Sequence, residues 1–177
     1  MASLSPSENP ACAGNIQPTL VHSIRFHLVC ISFIDAAGKL VFPGFIDTHT
    51  HFEMNKGLPN ETADDWHSGT LAALAGGTTT VLDFAEPERG CSLSSALEAW
   101  HRRADGRSSC HYSFHMTIKD WDPRIRAELR DMTAAGVTSY KVYFAYDNLR
   151  VSDAVAFELI RAVGAEGGIV GCHCENG

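Results

Sequence analysis

The sequence predicts an α/β protein built on a parallel β-sheet. From Ile31 onward, short apolar and β-branched segments alternate with amphipathic helical patterns, and glycine or proline closes each segment. About five strands and four helices can be counted in this alternation. A complete (β/α)8 barrel needs about 250 residues, and the chain has 177. The pattern therefore fits either part of such a barrel or an open doubly wound sheet.

Strands are predicted where β-forming residues cluster between turn residues. The first strand follows the Pro43-Gly44 turn, and the second is an apolar, β-branched run of the kind that parallel sheets bury. The predicted strands are Phe45–Asp47, Thr78–Phe84, His111–Ile118, Ser139–Phe144 and Ile169–His173.

Helices are predicted between these strands from apolar residues at helical spacing. The segment Thr62-Ala63-Asp64-Asp65 has the form of a capping box, and Gly76-Gly77 supplies a stop. Asp122, followed by proline, and Ser152 are predicted to cap the third and fourth helices. The predicted helices cover residues 64–75, 93–104, 123–135 and a segment after Ser152, with Leu93, Leu97, Trp100, Ala104, Ile125, Leu129, Met132, Val155, Leu159 and Val163 facing inward.

Residues 1–33 are predicted to be a disordered or atypical N-terminal segment, and residues 34–177 to be the folded domain. The first 17 residues are rich in Ser, Pro, Asn and Ala, and they lack the basic and apolar regions of a signal peptide. The apolar stretch from Leu28 to Ile34 is too short to span a bilayer, so no membrane association is expected.

Composition and charge exclude several classes of protein. Hydrophobic residues make up 45% and charged residues 20%, which is typical of a globular domain. The formal net charge of -7 excludes a basic surface for nucleic acid. The six cysteines are scattered without a CxxC pair, so they are predicted to be reduced thiols in a cytoplasmic protein.

A histidine pair follows the first predicted strand. His49 and His51 are two residues apart, so in an extended chain both imidazoles point to the same side. Neutral imidazole is a common zinc ligand, and the carboxyl end of a barrel strand is where such sites lie. From the spacing alone, a pair of metal ligands and two polar histidines at a strand end are equally compatible.

Lys141 lies inside an apolar strand, where a charged side chain is costly unless it is paired or modified. One interpretation is a lysine at a sheet edge, or one whose ammonium group reaches water. The other is a neutral amine in a dry site, which can react with carbon dioxide. The resulting carbamate is an anion with two oxygens that could bridge two metal ions.

His173 ends the fifth predicted strand. A lone histidine is more often a core residue than a ligand. Cys172 and Cys174 lie on the opposite face at a period of two, so they are predicted to be small buried residues rather than thiolate ligands. Weaker candidates for the site are His67, His101, His111 and His115.

Four segments, in this order, resemble the dihydropyrimidinase/D-hydantoinase family of the amidohydrolase superfamily. The likeness covers roughly residues 34–177, and the family usually has alanine in place of Cys174. The resemblance implies a partial (β/α)8 TIM-type barrel that holds about strands 1–5. The four segments are Val41–His51, Gly76–Thr80 together with Asp83-Phe84, Ser139–Tyr146, and Cys172–Gly177.

The resemblance also implies a site with two zinc ions. His49 and His51 would bind the first ion, Lys141 as its carbamate would bridge both, and His173 would bind the second. Tyr146 would be the catalytic, substrate-binding residue that hydrogen-bonds the substrate carbonyl and its developing oxyanion. The implied reaction opens a cyclic ureide, a dihydropyrimidine or a hydantoin, to an N-carbamoyl amino acid.

Several features of the family are absent from the sequence. The family takes a further histidine and an aspartate from later strands, and residues 1–33 do not resemble its usual N-terminal β-sandwich segment. We therefore expect a fragment that is inactive by itself, related to proteins that are commonly homotetramers. Alternatives are an allantoinase-like or dihydroorotase-like cyclic amidase, a non-catalytic scaffold paralogue, and an unrelated small zinc-binding or flavodoxin-like domain.

Overall fold

The structure is a computed structural model that describes residues 34–55 and 57–175. The predictions for residues 1–33, including those for Cys12 and Cys30, lie outside these residues. The sheet lies in the unit that begins at Gly44. No helix in the described part of the chain is long and apolar enough to cross a membrane.

The sheet has five parallel strands in the order β1-β2-β3-β4-β5, so every strand pairs with its neighbour in sequence. A doubly wound sheet instead reverses its strand order at a switch point, where its ligands bind. The uninterrupted order therefore selects the barrel-type alternative. The strands are β1 (Phe45–Thr50), β2 (Thr78–Ala85), β3 (His111–Thr117), β4 (Ser139–Tyr143) and β5 (Ile169–His173).

Four helices connect the strands. The second begins and ends as predicted, and the caps predicted for the third and fourth, Asp122 and Ser152, are confirmed. The predicted cap of the first helix is wrong. Its capping box is formed by Asp65 and Ser68, because the Asp65 carboxylate accepts the Ser68 amide and the Ser68 hydroxyl accepts the Asp65 amide. The helices are α1 (Trp66–Ala75), α2 (Leu93–Ala104), α3 (Pro123–Ala134) and α4 (Asp153–Ala165).

The hydrophobic core lies between the helices and one face of the sheet. Alternate strand residues such as Met116, Tyr140 and Val142 point into it, because side chains along a strand face opposite sides in turn. Of the helix residues predicted to face inward, Trp100 and Val155 are partly buried and the others are fully buried. Since Tyr140 and Val142 face the helices, Lys141 between them faces the other side of the sheet, where a barrel has its interior.

Candidate metal centre

The chemically distinctive side chains lie at one edge of the sheet. His49 is on β1 and His51 follows it, Lys141 is on β4, and His173 is the last residue of β5. Because the strands are parallel, their carboxyl ends meet at the same edge. Residues that are far apart in sequence are thereby brought to one side of the molecule.

The two imidazoles of the histidine pair are adjacent. The ring centroids of His49 and His51 are 5.2 Å apart, and each ring lies against Phe84, at 4.7 and 4.6 Å. Partial burial, and then the charge of Lys141, lowers the pKa of His49; burial, and then His49 itself, lowers the pKa of His51. Both shifts favour the neutral form, which is the form that binds a metal ion.

The buried carboxylate of Asp83 anchors the chain at Thr50, between these two histidines, and at Phe52, directly after them. Its two oxygens accept hydrogen bonds from the amides of Phe52 and Phe84, each at 2.7 Å, and from the Thr50 hydroxyl at 3.3 Å. Burial raises the pKa of Asp83 to about 6, and these hydrogen bonds oppose that shift. The sequence contains Asp83 within a family-like segment, but nothing in its pattern predicts this anchoring role.

Lys141 is 9% exposed, and no carboxylate of a described residue forms an ion pair with it. Its Nζ instead faces two aromatic rings, with the centroids of Phe84 at 5.3 Å and Tyr143 at 5.2 Å. The side chain lines a cleft of about 240 Å³ that also contains His49 and His115. The edge-lysine interpretation is therefore wrong, because Lys141 lies on an inner strand and is largely buried.

His173 and Tyr146 lie beside each other next to this cleft. Their ring centroids are 5.3 Å apart, and Nε2 of His173 is 3.2 Å from Oε1 of Glu175. A hydrogen bond between the Tyr146 hydroxyl and Glu175 raises the pKa of the tyrosine. Tyr146 has a positive φ of 68°, which is uncommon for residues other than glycine and is concentrated at functional sites. No pattern in the sequence predicts a role for Glu175.

One prediction about this region needs correction. Cys174 is exposed rather than buried, because β5 ends at His173 and leaves Cys174 beyond the sheet; Cys172 packs partly against the core. His115, one of the weaker candidates, is a lining residue of the cleft, whereas His101 is partly exposed on α2. The four described cysteines form no disulfides.

The side chains at this edge of the sheet suit metal ions if Lys141 is carboxylated. Within residues 34–55 and 57–175, no three His, Cys, Asp or Glu side chains converge as metal ligands would. The four groups at the edge, His49, His51, Lys141 and His173, are all bases, and no described carboxylate pairs with Lys141. A carbamate on Lys141 would replace the cation with an anionic oxygen donor beside neutral imidazoles, which is what a zinc site requires.

Comparison with known proteins identifies the family. The sequence model of the amidohydrolase family matches residues 40–156, which is well over half of the chain. The chain belongs to the amidohydrolase family. It is 42% identical over 152 residues to dihydropyrimidinase of Rattus norvegicus, and 41% identical over 146 residues to D-hydantoinase of Geobacillus stearothermophilus. The predicted resemblance to this branch of the superfamily is therefore confirmed.

These alignments cover most of this amidohydrolase chain but little of its relatives. They cover 83% and 81% of the chain, and 28% and 31% of the rat and bacterial proteins respectively. The solved structure of dihydropyrimidinase from Brevibacillus agri matches with a TM-score of 0.79 and 37% identity, over 86% of this chain and 33% of that one. The predicted fold class, a partial (β/α)8 barrel, is confirmed.

Proposed function

We propose that this amidohydrolase chain carries part of the zinc centre of an enzyme that opens dihydropyrimidine or hydantoin rings. The observation that carries the proposal is the buried Lys141, which has no described carboxylate partner and lies between a pair of neutral histidines and His173. The relatives named dihydropyrimidinase and D-hydantoinase support the choice of substrate class.

The proposal gives each basic group a role. The neutral Lys141 amine would add to carbon dioxide, forming an N–C bond and releasing a proton, and the carbamate oxygens would be shared ligands of the zinc ions. His49 and His51 would hold one ion, and His173 would hold the other. When bound, two zinc ions supply Lewis acidity, which makes water a stronger acid and polarises a carbonyl. The aromatic rings of Phe84 and Tyr143 beside Lys141 limit the access of water to the carbamate.

Tyr146 is the proposed substrate-binding and catalytic donor. The Tyr146 hydroxyl, whose pKa is raised by its hydrogen bond to Glu175, is protonated at neutral pH. Its single proton can be donated to a carbonyl oxygen, as negative charge develops there, only when the hydroxyl turns away from Glu175. In the net reaction, water breaks the carbonyl C–N bond of the ring. The hydroxyl group joins the carbon and a proton joins the nitrogen, which gives an N-carbamoyl amino acid.

The alternatives differ in substrate or in catalysis. Tyr146, five residues after Lys141, favours the dihydropyrimidinase branch over allantoinase-like and dihydroorotase-like amidases. Histidine and lysine side chains at all four proposed ligand positions favour an enzyme over a non-catalytic scaffold. The cytoplasmic location, the tetrameric assembly and the inactivity of this chain by itself stay predictions.

The proposal is tested by zinc content and lysine modification. The 177-residue chain is purified with zinc and bicarbonate, zinc per chain is measured by elemental analysis, and the carbon dioxide adduct by native mass spectrometry. We expect roughly one to two zinc ions per chain, with an adduct on Lys141. Lys141→Ala should lose both, whereas Lys119→Ala should keep both, because Lys119 is paired with Glu86 at 3.2 Å.

Equal zinc binding by wild type and Lys141→Ala, or no zinc binding by wild type, would contradict the proposed centre. Ring opening of dihydrouracil or a substituted hydantoin, assayed on the zinc-loaded chain, tests the reaction itself. Activity that is lost in Tyr146→Phe would support the reaction and would contradict the expected inactivity of the chain by itself. Zinc binding through Lys141 without ring opening would support the metal centre and agree with that expectation.

A further inference from the structure

His115 lies on the inner face of β3 and contacts three other strands. Its Nε2 is 2.9 Å from the carbonyl oxygen of Thr48 on β1, and its Nδ1 is 2.5 Å from Oγ of Ser139 on β4. Its ring packs against Phe84 on β2, with the centroids 4.9 Å apart. One imidazole therefore links β3 to the two strands that carry His49 and Lys141.

The hydrogen-bond partners determine which ring nitrogen carries the proton. A carbonyl oxygen can only accept, so Nε2 of His115 must donate to Thr48. In the neutral ring Nδ1 is then an acceptor, and the Ser139 hydroxyl donates to it. Both nitrogens are thus occupied by protein groups, so His115 has no lone pair for a metal ion and is not a ligand.

The bond to Thr48 falls where the pairing of β1 is irregular. The register between β1 and β2 shifts between Asp47 and Thr50, and Thr48 and His49 lie within this interval. A regular ladder fixes the position of each strand residue, but here the ladder is interrupted next to His49. The imidazole of His115 supplies a hydrogen bond to the backbone at that point.

We infer that His115 is a positioning residue, which holds the backbone beside His49 at a fixed distance from the strand that carries Lys141. It acts on β1 through the Thr48 carbonyl and on β4 through Ser139, which is two residues before Lys141 and on the same face. The inference concerns the chain itself, and it rests on the proposed function only where zinc affinity is used to test it.

The first test needs no metal. Hydrogen exchange of the backbone amides is measured in the chain with a chelator present, for wild type, His115→Phe and His115→Gln. Phenylalanine keeps an aromatic ring but has no hydrogen-bond donor. Glutamine has an amide N–H group at a similar distance from the backbone, which can donate to the Thr48 carbonyl. We expect exchange at the end of β1 to be roughly threefold to tenfold faster in His115→Phe, which matches the net strength of one hydrogen bond, and near wild type in His115→Gln.

The matched control is His101→Phe, which removes another imidazole that packs against a phenylalanine, Phe114, but that lies on α2 and is 46% exposed. It should leave exchange at the end of β1 unchanged. Unchanged exchange in His115→Phe, or an increase that His115→Gln does not reverse, would overturn the inference. If His115→Phe does not fold, Ser139→Ala replaces it, and a smaller increase at the same amides is expected because only one of the two hydrogen bonds is lost.

The second test is zinc affinity, measured by competition with a chromophoric chelator on folded protein. Loss of an outer residue that orients metal ligands typically lowers affinity about 10-fold to 100-fold, so His115→Phe should bind zinc at least about tenfold more weakly than His115→Gln. Equal affinities would overturn the positioning role. Absence of zinc binding by wild type would contradict the proposed function, and the exchange experiment would still decide the role of His115.

Discussion

Replacement of Lys141 by methionine should stabilise the metal-free chain while it removes zinc binding. The lysine is 9% exposed and has no described carboxylate partner, so its ammonium group is largely buried without an ion pair. Desolvation of an unpaired charge costs several kcal/mol, and contacts with two aromatic rings return about 0.5–2 kcal/mol. Methionine has a similar length and no charge. We expect the free energy of unfolding to rise by about 1–2 kcal/mol.

Lys119→Met is the matched control, because the two lysines are similarly buried but differ in their partners. The Lys119 side chain is 12% exposed and its Nζ is 3.2 Å from Oε2 of Glu86. Its replacement removes an ion pair and leaves the Glu86 carboxylate partly buried. We expect the free energy of unfolding to fall by about 1 kcal/mol, the opposite direction from Lys141→Met.

The assay is urea unfolding at neutral pH with a chelator and without added bicarbonate. A change in the midpoint at constant slope reports a change in stability. The reasoning is refuted if Lys141→Met lowers the midpoint as much as Lys119→Met does, since Lys141 would then be an ordinary stabilising residue. A higher midpoint together with loss of zinc binding would mean that the chain retains a destabilising lysine for its chemistry.

Two further predictions concern stability. The pKa of Asp83 is raised from 3.8 to about 6, so the folded state binds more protons than the unfolded state between these two pH values, and the free energy of unfolding falls as the pH rises through this range. In urea unfolding, the difference in the free energy of unfolding between wild type and Asp83→Asn should therefore shift against wild type by up to about 3 kcal/mol over this range. A difference that does not depend on pH would contradict the raised pKa. Leu159→Ala, at a fully buried position of α4, should lower the free energy of unfolding, measured by thermal unfolding, by about 2–5 kcal/mol. Ile160→Ala, at a position that is 47% exposed, should lower it by less than about 1 kcal/mol.

Local patterns predicted the elements well but missed features that depend on tertiary contacts. The predicted β1 ended at Asp47, whereas pairing with β2 extends it to Thr50 and includes His49 in the strand. The first helix was predicted to begin at Asp64 but begins at Trp66. Asp64 and Asp65 are adjacent in the sequence, and either could cap the helix. Asp65 is the cap because its carboxylate accepts the hydrogen bond from the Ser68 amide.

The proposed ligand residues could be named from the sequence because each lies in a short segment that resembles the family. The role of His115 could not, because it depends on three other strands that contribute Thr48, Phe84 and Ser139. The hydrogen-bond partners of Asp83 could not be predicted either, because Thr50 and Phe52 lie more than 30 residues away in the sequence. A sequence pattern shows which side of a strand a residue faces, but it does not show what lies across the sheet.

The sequential order of the sheet has a consequence for how the chain folds. Each strand pairs with the one next to it in the chain, as in the pairing of Phe45 with Thr78, so each pairing closes a loop of moderate length. No strand has to be inserted between two that have already paired. During synthesis each new helix and strand can therefore dock on the preceding pair as it leaves the ribosome, and the strand ends that carry His49, Lys141 and His173 are brought together progressively.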